Sequence, residues 1–137
     1  MDQRLFYLLN MARQRVYNVA DQRTESALGI SVTQLGALFL IGENEGCLLK
    51  EVARGLHLNN SALTGLTGRM AQNGLIERRP CEQDKRATRL YLTELGRSRI
   101  DAARPLVRQF NDALSDGFSD AEMQVILRFL NRLVNEF

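Results

Sequence analysis

The sequence predicts a mainly α-helical fold in which two short helices, joined by a tight turn, run straight into a two-stranded hairpin. Three observations carry that expectation. Apolar residues recur at helical spacing through most of the chain, interrupted by turn residues. Asn59-Asn60-Ser61 sits between two short amphipathic stretches, where a helix N-cap is needed. Two short strand-like runs, Leu75–Arg79 and Arg89–Leu92, flank a polar loop starting at Pro80.

In the first segment Leu5, Leu8, Leu9, Ala12, Val16, Val19 and Ala20 follow a helical period against Arg4, Arg13, Arg15, Asp21 and Arg23. An amphipathic helix over roughly residues 3–26 follows, closed off by Gly29. Ser31-Val32-Thr33-Gln34 has the form of a capping box and opens a helix with Leu35, Leu38 and Phe39 inward. Gly42 and Gly46 bracket the next loop. Leu48 to Gly55 forms a short helix burying Leu49, Val52 and Ala53, and Leu56-His57-Leu58 turns the chain, with His57 expected to be packed or hydrogen-bonded in that apolar turn. The helix opened by Asn59-Asn60-Ser61 buries Leu63, Leu66 and Met70 and ends at Asn73-Gly74. A helix-turn-helix followed at once by a hairpin is a winged helix-turn-helix.

The last third is helical again. Ile100, Ala103, Val107, Phe110 and Leu114 make one stripe, with Pro105 inside it. Met123, Ile126, Leu127, Leu130, Leu133, Val134 and Phe137 make another, after a capping box at Ser119-Asp120-Ala121-Glu122. These stripes exceed what a small winged lobe can cover, so a twofold partner is expected to bury the surplus. The organisation expected is one domain, 1–137. Its winged lobe spans about 31–98, and its dimerisation helices cover about 3–26 and 99–137.

Composition excludes several classes. At 45% apolar and 25% charged residues the chain is an ordinary globular one, with no apolar run of membrane-spanning length. Its first residues lack the layout of a signal peptide, and a cytoplasmic location is expected. Cys47, Cys81 and the one histidine do not make a metal site, and no cofactor is expected. Nor is there a phosphate-cradling loop or a nucleophile with base and carboxylate, so the chain does not read as an enzyme.

Charge distribution points elsewhere. The net charge is only +2, yet Leu75 to Arg99 holds seven cations against four anions. Asp84, Lys85, Arg86 and Arg89 crowd the hairpin tip. A solvated tip explains the cations alone; a loop that reaches for phosphate also gives Asp84 a role, pinning the guanidinium of Arg86 or Arg78.

Asn73-Gly74-Leu75-Ile76-Glu77-Arg78 follows the second helix, Asp84-Lys85-Arg86 lies in the wing, and Leu92-Thr93-Glu94-Leu95-Gly96-Arg97 starts the next helix. On these motifs the chain resembles the multiple-antibiotic-resistance regulator (MarR) family through nearly its whole length, from the first helix to Phe137, most densely over Leu49–Arg97. The resemblance implies a homodimeric DNA-binding regulator, often a repressor, acting on a palindromic operator in double-stranded DNA. It also implies a small aromatic or anionic effector, held between the dimerisation helices and the reading lobe. Asn60, Ser61, Thr64 and Arg69 of the second helix are then expected to meet DNA, with Asp84, Lys85 and Arg86 of the wing. Two positions depart from the family, which often has arginine at Gly65 and aspartate at Gly68. Each glycine costs a helix interior up to about 1 kcal/mol relative to alanine. Gly65 either removes a cation from the reading surface or lets the backbone approach DNA closely. Two other readings remain open on the residues: a winged-helix module for protein–protein contact, and a thiol-redox regulator using Cys81 beside Arg78 and Arg79.

Overall fold

Three of the six helices begin as their cap residues dictate. In the computed structural model, which describes residues Met1–Phe137, Ser31, Asn59 and Ser119 each accept a backbone N–H from the first turn that follows. Ser119 and Glu122 form the full reciprocal box; at Ser31 only the Gln34 N–H is bound. Asp21 satisfies a further donor of that first turn, its Oδ1 accepting the Val32 N–H at 2.8 Å.

The elements run α1 (Leu5–Leu28), α2 (Val32–Glu43), β1 (Cys47–Leu48), α3 (Leu49–Leu56), α4 (Asn60–Gln72), β2 (Ile76–Pro80), β3 (Thr88–Leu92), α5 (Glu94–Ser115) and α6 (Asp120–Glu136). The sheet is antiparallel with β3 central, in the order β1-β3-β2. Ile76 pairs with Leu92 and Pro80 with Thr88, and Cys47 and Leu48 pair with Leu90 and Arg89. This is a winged helix-turn-helix, α3 and α4 forming the pair and β2–β3 the wing.

Some expectations need correction. β1 is too short to show a period of two, and only its pairing with β3 defines it. Pro80 ends β2 instead of opening the loop; it needs no donor at a strand's end. Gly42 lies inside α2, so the turn is Asn44–Gly46. Phe39 is half-buried, the inward face of α2 being Leu35, Ala37, Leu38 and Ile41. His57 is exposed: it caps α3 in the left-handed region, at φ 55°, which turns its ring away from the core.

The chain divides into two compact units, Met1–Arg104 and Pro105–Phe137, with α5 crossing the boundary. The core of the first gathers Leu38, Ile41, Val52, Leu63, Met70 and Leu90, all essentially inaccessible. Thr67 joins them because its hydroxyl donates to the Leu63 carbonyl at 2.9 Å. The second unit has no buried residue, and Leu127, Leu130 and Val134 of α6 stand open.

One joint fixes α5 to the end of α4. The Thr93 hydroxyl donates to the Gly74 carbonyl at 2.6 Å and accepts the Gly96 N–H at 3.1 Å. The Thr93 N–H donates to the Leu75 carbonyl at 3.2 Å. Gly96 packs so tightly here that a Cβ would lie 2.2 Å from that same carbonyl oxygen. Gly96→Ala should therefore destabilise by at least about 1–3 kcal/mol, the usual cost of overpacking. Gly65→Ala, which meets only the tip of a flexible side chain, should stabilise by up to about 1 kcal/mol. Urea unfolding of both variants checks the contrast.

Candidate nucleic-acid interface

The buried and exposed sides of α4 divide cleanly. Leu63, Leu66, Thr67 and Met70 face the core, which leaves Asn60, Ser61, Thr64, Gly65 and Arg69 on the open face. Asn59, not Asn60, is the N-cap, so the Asn60 side chain is left for other partners. Thr64 donates its hydroxyl to the Asn60 carbonyl at 2.7 Å and keeps its lone pairs outward.

At the wing tip Asp84 makes two bonds to one neighbour. Its Oδ1 accepts the Arg86 backbone N–H at 3.1 Å and lies 3.4 Å from the Arg86 Nε. The Arg86 side chain is 94% exposed, so the ion pair is weak and the bond to the backbone is what shapes the tip. Lys85 is exposed between them.

A cleft of about 290 Å³ joins the two elements, lined by Lys50, Asn60, Asp84, Arg86 and Thr88 among others. It brings Asn60 together with Asp84 and Arg86. Lys50, on the first turn of α3, was not expected there; its single charge on a short helix gave no sequence signal. No ion pair involves Arg69, Arg78 or Lys85. Arg78 lies along α4, its Nη1 3.9 Å from where a Cβ on Gly68 would stand. The other wing cations are engaged: Arg79 stacks on Tyr91 and pairs with Glu77, and Arg89 donates to the Gly46 carbonyl at 2.7 Å.

Arg89, not Arg78 or Arg79, is the neighbour of Cys81, its Nε 3.3 Å from the sulfur. The backbone N–H of Asp84, and then this guanidinium, hold the Cys81 thiol below its ordinary range. Burial pushes Cys47 the other way. No three metal-ligating side chains come together, and no single helix is long and apolar enough to cross a membrane.

Residues 30–88, the span holding this geometry, match the family model described as MarR family. The HTH-type transcriptional regulator BilQ of Clostridium symbiosum is 29% identical over 105 residues, 77% of this chain and 73% of the relative. Over this lobe the chain is similar to MarR-family regulators. The HTH-type transcriptional repressor IacR of Pseudomonas putida is 25% identical over 125 residues, covering 91% of this chain and 74% of the relative. The MarR-type fold is matched by the crystal structure of the S. aureus MepR–DNA complex with a TM-score of 0.89, at 20% identity over 99% of this chain and all (100%) of that one. Both relatives are named as transcriptional regulators, and the solved neighbour was crystallised with DNA.

Glu45 ties the wing to the helix after it. It accepts the Leu92 N–H at 2.8 Å and the Arg97 guanidinium at 3.0 Å, and these bonds hold its carboxyl below the ordinary glutamate range. A depressed folded-state pKa adds stability above the unfolded value, about 4.3, that is lost as pH falls through the lower folded one. Glu45→Gln should therefore flatten the loss of stability with acid below about pH 4.3, read by denaturant melts across that range.

Proposed function

We propose that the protein acts as a homodimeric repressor on an inverted-repeat operator and is released by a small aromatic or anionic molecule. The observation that carries this reading is the unpaired cationic rim around the open face of α4. Arg69, Arg78 and Lys85 have no carboxylate to neutralise them, on a surface shaped to enter a major groove. Asn60, Ser61, Thr64 and Arg69 meet the groove. The wing, with Asp84, Lys85 and Arg86, lies over the neighbouring minor groove. A module serving only protein contact has no need of a cationic rim of this kind.

Apolar surface supports the dimer. Leu5, Phe6, Leu8 and Met11 of α1 are exposed, as are Leu127, Leu130 and Val134 of α6. Each patch needs cover, and a second copy supplies it with the same residues. Two lobes on a twofold axis fit half-sites about 34–36 Å apart.

For the effector, a groove of about 350 Å³ within the first unit is lined by Phe39, Glu45, Arg97 and Arg104 among others. The Arg104 guanidinium stands 5.8 Å from the Phe39 ring centre, and its contact with Asp101 is loose at 3.9 Å. The carboxylates of Glu43, Glu45 and Asp101 line it too, so the groove suits the ring of a small aromatic molecule more than an anionic group. Calorimetry with small aromatic compounds should show weaker binding once operator DNA is present, since linkage is reciprocal. Release only by thiol oxidants, lost in Cys81→Ser, would instead establish redox control.

Replacing Leu130 and Leu133 together by aspartate should give folded monomers in sedimentation. Operator affinity should fall about 10²–10⁴-fold, the gain that linking two modules provides. An unchanged dimer would remove the assignment of α6. At the wing, Arg86→Ala should weaken operator binding by about 1–3 kcal/mol and lower the salt slope by about one. Asp84→Ala should weaken it too, although an anion is removed, because the turn that presents Arg86 loses its anchor. Tighter binding by Asp84→Ala, in titrations across a range of salt, would mark the tip as merely solvated.

A further inference from the structure

Gly65 occupies an exposed position in mid-helix where a Cβ would meet one atom only, the Nη1 of Arg69 at 3.4 Å. No core side chain and no other element comes near. Packing therefore does not account for this glycine, in contrast to Gly96, whose Cβ space is filled by backbone. Helical side chains lean toward the N-terminus, and Arg69, one turn further on, has folded back across the bare backbone of Gly65. Ser61, Gly65 and Arg69 follow one another at intervals of four along one exposed stripe. The guanidinium thus lies on the stripe itself, not at the helix edge. Without an ion pair, its planar fork of donors is free.

We propose that Arg69 reads a base in this protein, donating two hydrogen bonds to O6 and N7 of a guanine across the notch that Gly65 leaves. The assignment rests on the DNA-binding reading above and deepens it. The notch gives the guanidinium room beside the helix backbone, with its N–H edge turned toward a base edge and in the plane of that base. A phosphate contact does not need that room, because a phosphate can be reached from the helix edge by any cation. This also accounts for the helix tolerating a poor helix former at an open position.

The experiment uses the full chain and an operator selected from randomised duplexes. Each guanine is then replaced by another base or by 7-deazaguanine. The wild type should lose about 5- to 100-fold at one guanine per half-site, and Arg69→Ala should bind those duplexes alike. Gly65→Leu should melt no lower than the wild type, yet be as indifferent to that guanine as Arg69→Ala, because the side chain fills the notch. Uniform weakening on every sequence by Arg69→Ala, with a shallower salt slope, would make Arg69 a phosphate contact and overturn the proposal. So would a Gly65→Leu variant with full discrimination. If the wild type shows no salt-dependent affinity for any duplex, the DNA-binding reading itself fails, a result distinct from either.

Discussion

The architecture of the winged lobe hangs on the joint between Gly74–Leu75 and Thr93–Gly96. The Thr93 hydroxyl and N–H satisfy the Gly74 and Leu75 carbonyls just past α4, and the same hydroxyl accepts the Gly96 N–H in the first turn of α5. Because β2 and β3 leave and return at this point, the joint also sets where the hairpin begins. Ile76 pairs with Leu92 immediately beside it, and every later rung of the wing follows from that first pair. The absence of a side chain at Gly96 is a structural requirement here, as the 2.2 Å approach of the Leu75 oxygen makes plain.

Two further contacts anchor the wing away from its tip. Arg89 reaches the Gly46 carbonyl, and Glu45 holds Leu92 and Arg97. Both start from the short β1 turn, so a two-residue strand has an influence out of proportion to its length. It makes a hairpin that would be marginal alone part of a three-stranded sheet, with β3 at its centre.

Much of this was legible in the sequence because it depends on local chemistry. Ser31, Asn59 and Ser119 announce helix starts, and Leu63, Leu66 and Met70 announce a buried face, since both signals repeat within a turn or two. The contacts that escaped notice are non-local. Nothing near Cys47 says that it will pair with Leu90, and Arg89 meets Cys81 only across the hairpin. Phe39 and His57 were misplaced for a related reason: apolar neighbours in sequence do not determine which way a side chain turns once the backbone is fixed. In the interface, the residue types of α4 and the wing could be read directly. The role of Lys50 could not, nor the way Arg69 folds over Gly65, because both depend on the packed geometry.

The division of α4 has an evolutionary consequence. The residues that hold the helix in place and those that face outward share no side chain, so the outward set can change without loosening the core. Duplicated copies of such a gene could acquire new target sequences by a few substitutions at Ser61, Thr64, Gly65 and Arg69, each folding as readily as its parent. Stability and vocabulary are inherited separately in this helix.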